Sequence, residues 1–398
     1  MAPEIINTEL WLSRPRLVAG IMTGTSVDGI DAAFVEFRRA AGIFEFELKA
    51  FETYKFHQKT TEIIYEMLNG YIHPADISSI GFLLAAEYKS AIDKLSAESG
   101  IGPESIDAIG MHGQTLWHFP NPALIAGYDI RSTFQAGSVA ALAAITGNTV
   151  AGDFRAADMA LGGQGAPLVP AFDFHFLRSG DKNRIALNIG GISNITVLNK
   201  SCRKNDVIAF DTGPGNYLVD FYTMKFFGLP FDAGGAIAAS GKIDDTLLGM
   251  MKQIPYFNLK PPKSTGRDFL PSVIERYIEE NYKSSVITNE RKRDLIRTLT
   301  ELTAWSIAEN IRLFAPETEE LIASGGGVHN EFMMERLRKE SGNITINDSS
   351  FLGIPPDAKE AICFAWLAYC SLAGLPGNLP SVTGASREAV LGSVSFGA

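Results

Sequence analysis

The sequence predicts an α/β protein built of two related domains, and three observations carry that expectation. The chain has 398 residues, more than one hydrophobic core usually organises. Strand-like and helix-like segments alternate along it. One plan, an apolar strand, a turn of small residues and a second apolar strand, occurs twice. In the first copy the run LVAGIM at 17–22 leads into Thr23-Gly24-Thr25-Ser26, then Asp28-Gly29, then the run from Ile30 to Phe37. In the second, IALNI at 185–189 leads into Gly190-Gly191, then Ser193-Asn194, then Ile195 to Leu198. The copies stand about one domain's length apart. They place the domains at 1–180 and 181–384, facing a shared cleft, with a last strand at about 385–398 returning to the first.

The remaining elements follow in order. Strands are expected at 106–111, 148–151 and 321–323. Helices are expected at 134–147, 165–178, 215–228, 289–314 and about 357–373. The fourth helix is the longest, with Leu295, Leu299 and Leu302 at four- and three-residue steps and Ile311 further along. Met224, Phe226, Trp305 and Trp366 lie within helices and are expected in the core. Residues 257–269, containing Pro261-Pro262-Lys263-Ser264-Thr265-Gly266-Arg267, make the most loop-like stretch. The first 15 residues read as a lead-in to the first strand.

Composition excludes several function classes. The chain is 46% hydrophobic and 20% charged, the make-up of an ordinary globular protein. Its net charge of −10 disfavours a sequence-independent grip on nucleic acid or anionic membrane, both of which need a basic surface. No apolar run approaches the ~18 residues that span a bilayer, and the N-terminus does not read as a signal peptide. Three cysteines make no disulfide framework. Cys363 and Cys370 lie roughly 10 Å apart along a helix at ~1.5 Å per residue, beyond the ~7 Å reach of a disulfide, and Cys202 stands in a polar turn. A reducing compartment, the cytoplasm, is expected.

The P-loop, the dinucleotide fingerprint, the hydrolase elbow, the zinc-protease helix and the protein-kinase signature are all absent from the sequence. Other clusters carry chemistry. Gly24, Thr25, Ser26, Asp28, Gly29 and Asp31 form a small-residue turn whose amides can converge on phosphate, with carboxylates suited to hydrated Mg²⁺. Its plainer reading is a hairpin with an Asp-Gly turn. Asp211, followed by Thr212-Gly213-Pro214-Gly215-Asn216, stands at a strand end before a turn into a helix. That placement suits a general base or a metal ligand, or else an ordinary helix cap. His112, Gln114 and Thr115 follow one strand, and Arg155 and Asp158 another. At the carboxyl edge of an α/β sheet such residues can bind a polar small molecule. Gly325, Gly326 and Gly327 end a strand and leave room for a flat ligand or a phosphate, with Asn330 as the cap of the next helix. Glu360 opens the last long helix, where a solvated face is equally consistent.

In this order the segments GTSVDGID, HGQT, DFR with GGQGAPLVP, LNIGGISN, FDTGPGN, PKSTGRD, SGGGVHN, DAKEAICFAW and PSVTGA resemble the anhydro-N-acetylmuramic acid kinase family, within the sugar kinase, heat-shock and actin superfamily. The likeness runs from about Leu17 to Phe396. It implies actin-like ATPase (ribonuclease H-like) domains flanking a nucleotide and sugar cleft. The implied reaction is an ATP- and Mg²⁺-dependent opening of the 1,6-anhydro ring by water, coupled to phosphorylation of O6. The product would be N-acetylmuramic acid 6-phosphate, in peptidoglycan recycling. Asp211 would be the general base. Gly24 to Asp31, Gly190, Gly191, Gly213 and Gly325 to Gly327 would hold the nucleotide, and Asp28, Asp211 and Glu360 the Mg²⁺. His112, Gln114, Thr115, Arg155 and Asp158 would contact the sugar. The expected partners are the anhydro amino sugar, ATP and water, with neither nucleic acid nor membrane, and the expected assembly is a homodimer. A levoglucosan kinase-like enzyme is the alternative, less favoured because this chain keeps the GNLPSVTGA stretch associated with the muramic acid branch, followed by a non-sugar ATPase of the heat-shock or actin type.

Overall fold

Each copy of the repeated strand–turn–strand opens a sheet. The computed structural model describes residues 7–24, 27, 29–266, 270–282 and 287–397. The chain divides into two compact units, Met1–Phe176 with Ala358–Ala398, and Leu177–Asp357.

In the first unit β1 (Arg16–Thr23), β2 (Ile30–Ala40) and β3 (Ile43–Tyr54) form an antiparallel meander, with Ile21 opposite Ala32. The helix Pro74–Ser99 carries the chain over to β4 (Ala108–Ile125), parallel to β1 with Ile109 beside Ala19. The outer half of β4 turns back as β5 (Tyr128–Ala136), and β6 (Val150–Gly152) adds in parallel to β4. The final strand, Ser393–Ser395, closes the sheet on β6. In the second unit β7 (Arg184–Ile189), β8 (Ile192–Leu198) and β9 (Ile208–Pro214) repeat the meander. Then β10 (Glu320–Ser324) pairs in parallel with β7, and β11 (Thr345–Asp348) with β10.

The second sheet has the spatial order β9-β8-β7-β10-β11 and the first β3-β2-β1-β4-β6, so that, setting aside the β5 hairpin arm and the closing strand Ser393–Ser395, each runs 3-2-1-4-5 with the first three strands antiparallel and the last two parallel to the first. Two independent sheets with this order have the actin-like, ribonuclease H-like architecture that the resemblance implies. The burial explains which strands are central. β1 and β10 are buried on nearly every residue, as sheet interiors covered on both faces require, whereas β3 exposes much of its length at an edge.

The helix Lys359–Leu372 covers the first sheet and decides the close fit there. Gly20 on β1 and Gly110 on β4 lie directly beneath it. A Cβ at Gly20 would fall 2.0 Å from the Ala361 carbonyl oxygen, and one at Gly110 would fall 2.1 Å from that of Phe364. The first turn of the helix is tied to the helix Val169–Phe176 by a buried ion pair, Lys359 Nζ to Asp173 Oδ1 at 2.9 Å. In the second unit the helix Asn289–Phe314 crosses the sheet, with Leu295, Leu299, Leu302 and Ile311 all in the core as their spacing predicts.

Three expectations need correction. The chain returns to the first unit at Ala358, well before 385, because the 359–372 helix packs on β1, β2 and β4. The helix expected from 134 starts at Val139, since 134–136 belong to β5. The outer β4–β5 hairpin was not expected: its apolar residues Trp117, Phe119, Ile130 and Phe134 alternate along one face, but that face is exposed and joins no core. Met224, expected in the core, is half exposed. No helix of the described residues is long and apolar enough to cross a membrane.

The two glycines under the helix make a direct test. Gly110→Ala drives a methyl group into a backbone carbonyl and should cost about 3 kcal/mol or more. Gly249→Ala, in the helix Asp245–Lys252 where the added methyl meets nothing, should gain roughly 0.5–1 kcal/mol. Urea unfolding of both variants checks the pair.

Candidate active site

In the second unit the site is built on the end of β9. Asp211 lies within the strand and is mostly buried. The cap of the following helix, Tyr217–Phe227, is Asn216, so the helix-cap reading of Asp211 does not hold. One carboxylate oxygen, Oδ2, accepts the Thr265 amide at 2.9 Å. Among the described residues Oδ1 accepts no hydrogen bond. The Asp211 backbone is fixed on both sides: its amide donates to the Lys263 carbonyl at 3.1 Å, and its carbonyl accepts the Tyr256 hydroxyl at 2.7 Å. Burial pushes the Asp211 carboxyl up to about 6, with the Thr265 amide and the Lys263 charge opposing.

Lys263 completes this corner without an ion pair to Asp211. Its ammonium donates to the carbonyls of Tyr256 and Phe257 at 3.3 and 3.2 Å. It also faces the rings of Tyr256, Phe314 and Phe210 at 4.8, 5.3 and 5.8 Å. Burial lowers its pKa to about 8, and Asp211 resists that shift.

The turn after Asp211 is held from below by a buried polar stripe on the Asn289–Phe314 helix. Asn310 Nδ2 donates to the Thr212 carbonyl at 3.1 Å, and Thr303 Oγ1 donates to that of Gly215 at 3.0 Å. From the side, Gly190 and Gly191 clamp it. The Gly191 carbonyl accepts the Gly215 amide at 2.9 Å, and the Gly190 carbonyl accepts the Asn216 amide at 2.8 Å. Gly215 has to be glycine, because a Cβ there would lie 2.2 Å from the Gly190 oxygen. Gly213 lies inside β9, against Phe257 and Ser306.

The glycines at 325–327 divide in two. Gly325 and Gly327 are packed against Asn188 and Ile189, so the chain itself excludes side chains there. Gly326 and Gly190 have open Cα faces with nothing nearer than 3.6 Å. Bare, open backbone at two turns is the surface a phosphate or a flat ring can approach closely. Asn330 caps the next helix, its Oδ1 accepting the Met333 amide at 2.9 Å, as its position predicts.

In the first unit Thr25, Ser26 and Asp28 lie outside the described residues. Gly24 follows β1, and its carbonyl accepts Gln114 Nε2 at 3.2 Å. Gly29 packs against Thr53 and Tyr54, and Asp31 on β2 accepts the Thr53 hydroxyl at 2.6 Å. Gln114 is fully buried, and its Oε1 accepts no hydrogen bond among the described residues. Thr115 accepts a long, 3.4 Å bond from Gln135.

His112 and Arg155 come together. Arg155 donates to His112 Nε2 through Nη2 at 2.8 Å and Nε at 3.2 Å, and through Nη1 to the Gly165 carbonyl at 2.8 Å. Nε2 can accept only on a neutral ring. Burial and the Arg155 charge accordingly hold the His112 pKa well below its ordinary value. Glu360, in the first turn of its helix, is partly exposed. Burial raises its carboxyl pKa, while Lys359 and Arg155 oppose the shift. Its charge also opposes the lowering of the Arg155 pKa by burial.

Asp158 differs from the expected sugar contact. It is completely buried, and both oxygens are taken by the chain. Oδ2 accepts the Gly165 amide at 2.8 Å, and Oδ1 accepts Asn378 Nδ2 and Thr383 Oγ1, each at 2.7 Å. With no exposed face it holds a loop and offers nothing to a ligand. Tyr256, Lys263, Thr265, Thr303, Asn310, Asn378 and Thr383 carry roles here that their sequence positions did not announce. Lys263 and Thr265 lie in PKSTGRD, and Asn378 and Thr383 in GNLPSVTGA. Thr303 and Asn310 carried no signal beyond being polar on an apolar helix.

The sequence model of the family described as anhydro-N-acetylmuramic acid kinase matches residues 16–397. The chain belongs to that family. A relative of the same description from Salinibacter ruber is 41% identical over 96% of both chains. One from Caldanaerobacter subterraneus subsp. tengcongensis is 36% identical over 96% of this chain and 97% of its own. One from Xanthomonas campestris pv. campestris is 40% identical over 95% and 97%. Membership makes the protein a kinase, an enzyme of the phosphotransferase class.

Burying a carboxyl that ionises carries a stability cost whose sign is testable. Below pH 3.8 Asp211 is protonated folded and unfolded alike. As pH rises from there the unfolded chain ionises freely, while the folded one resists until about 6. Asp211→Asn keeps the acceptor for Thr265 and removes that cost. It should therefore be more stable than the parent by roughly 1–2 kcal/mol at pH 8, at ~1.36 kcal/mol per unit less what the buried Lys263 loses. At pH 4 the gain should nearly vanish. Denaturant titrations at the two pH values read the difference.

Proposed function

We propose that the protein phosphorylates 1,6-anhydro-N-acetylmuramic acid at O6, with ATP and Mg²⁺, while water opens the anhydro ring. The observation that carries the mechanism is the Asp211 carboxyl. Its pKa is raised to about 6, one oxygen is anchored by Thr265, and the other takes no partner among the described residues. A base poised near the working pH and held by a rigid turn suits deprotonation of water, an effect worth typically 10²–10⁴-fold.

In this reading Asp211 Oδ1 takes a proton from water as the water oxygen bonds to C1 and the C1–O6 bond breaks. The electron pair released on O6 forms the new bond to the γ-phosphorus, and the bond from that phosphorus to the bridging oxygen of ADP breaks. N-acetylmuramic acid 6-phosphate and ADP leave, and the proton passes from Asp211 to solvent. ATP with its Mg²⁺ supplies the electrophilic phosphoryl group, and such transfers depend on positioning and charge neutralisation. Gly24, Gly29, the turn at Gly190-Gly191, Gly213 and the run Gly325 to Gly327 would hold the nucleotide, with Thr25, Ser26 and Asp31. Asp28, Asp211 and Glu360 would hold the cation, which keeps several waters and needs few protein ligands. His112, Gln114, Thr115 and Arg155 would orient the sugar. The open Cα faces at Gly190 and Gly326 and the partly exposed Glu360 support these assignments.

The product belongs to the reuse of cell-wall amino sugars. Three buried free cysteines support a reducing cytoplasm, and the charge of −10 supports small-molecule partners over nucleic acid. On the family resemblance we propose a homodimer.

The test measures phosphate transfer from ATP to 1,6-anhydro-N-acetylmuramic acid, with levoglucosan in parallel and the product read by ³¹P NMR. The parent should phosphorylate the amino sugar with the higher kcat/KM. Asp211→Asn should fold and bind both substrates while kcat falls at least about 10²-fold. A near-parental kcat in the Asn variant refutes the base assignment.

A further inference from the structure

The C-terminal segment 378–389 is folded into the first unit around one buried carboxylate, and that carboxylate leads to Arg155. Asp158, Asn378 and Thr383 are each 2% exposed or less. Asn378 Nδ2 and Thr383 Oγ1 both donate to Asp158 Oδ1 at 2.7 Å. Asp158 Oδ2 accepts the Gly165 amide, and the carbonyl of the same Gly165 accepts Arg155 Nη1, each at 2.8 Å. The loop between is fastened twice more to the segment: the Gln164 amide donates to the Thr383 carbonyl at 2.8 Å, and the Ser386 amide to that of Leu161 at 3.0 Å. Asn378 is itself oriented, its Oδ1 accepting the Ala389 amide at 2.7 Å. Gly163 fits only because it lacks a side chain, since a Cβ would lie 2.1 Å from Asp158 Oδ2.

A buried carboxylate held by three neutral donors is an unusual way to fasten a loop, because apolar packing would close the same space without desolvating a charge. What it provides is direction. Each donor fixes one lone pair of Asp158, the carboxylate fixes the Gly165 peptide, and that peptide fixes the plane of the Arg155 guanidinium. The other edge of that guanidinium is already set by His112. Arg155 is thereby held in one rotamer from both sides, which is the condition for a planar, directional contact with a ligand.

We propose that Asn378 and Thr383, acting through Asp158 and the Gly165 peptide, are positioning residues for Arg155 and so tune its grip on the anhydro sugar. The inference rests on the reading of Arg155 as a sugar contact. The C-terminal segment thus acts on the sugar half of the reaction and leaves the nucleotide half alone.

The experiment compares Thr383→Val, which keeps shape and loses the hydroxyl, with Thr383→Ser, which keeps the hydroxyl. Both are set beside Arg155→Lys and the Arg155→Lys/Thr383→Val double variant. Thr383→Val should raise the KM for 1,6-anhydro-N-acetylmuramic acid about 3- to 10-fold, the worth of one buried hydrogen bond. The KM for ATP should stay unchanged, and Thr383→Ser should restore most of the loss. In the double variant the sugar KM should be no higher than in Arg155→Lys alone, because the positioned group is already gone. If Thr383→Val does not fold, Asn378→Ala removes a donor from the same oxygen and is read in the same way. A sugar KM at the parental value in a folded variant, or sugar and ATP KM values rising together, overturns the proposal. If Arg155→Lys leaves the sugar kinetics intact, the sugar contact itself is wrong and the proposal falls with it. An effect of Arg155→Lys without one of Thr383→Val condemns the positioning role alone.

Discussion

A carboxyl buried without a counter-ion is costly, and the second unit is built around one such group, Asp211. A direct ion pair would hold the side chain firmly but would depress its pKa and occupy its oxygens. The chain avoids one. It fixes the backbone of Asp211 through Tyr256 and Lys263, gives the side chain a single amide from Thr265, and keeps the Lys263 ammonium on two carbonyls and three aromatic rings. The turn beyond is pinned by Thr303, Asn310 and the carbonyls of Gly190 and Gly191. Rigidity comes from the main chain, and one carboxylate oxygen is left without a partner among the described residues.

Asp158 shows the opposite solution to the same problem. It is an aspartate just beyond β6, and like Asp211 it lies near a glycine-rich turn. Three donors close it completely, so it carries structural information and no proton chemistry. The difference lies in what surrounds each carboxyl. Asp211 meets a loop arriving from 256–265, and Asp158 meets a segment arriving from 378–383. Both partners are distant in sequence.

That distance marks the limit of what could be read beforehand. The repeated strand–turn–strand announced two sheets because local alternation and small-residue turns are written into adjacent residues. The leucine steps of 289–314 likewise gave that helix its bounds. Asp211 was legible because a Gly- and Pro-rich turn follows it directly. The β4–β5 hairpin went unexpected because its alternating apolar residues cover no core, and Met224 was misplaced since a helix position alone does not say which side meets the core. Lys263, Thr265, Asn310, Asn378 and Thr383 act through contacts across tens to hundreds of positions, and no local pattern records them. The buried polar stripe on the Asn289–Phe314 helix even runs against the apolar period that identified the helix.

The return of the chain at Ala358 has a consequence for biosynthesis. The second unit is one continuous stretch, Leu177–Asp357, and all its strands are synthesised before the segment from Ala358 on. The first unit begins earlier but stays unfinished until that segment arrives, because it carries the helix that seats on Gly20 and Gly110 and the donors that close on Asp158. The unit begun first is therefore completed after the other. Until then one face of its central sheet lacks its covering helix, the kind of exposed apolar surface that makes a partly made chain prone to aggregate.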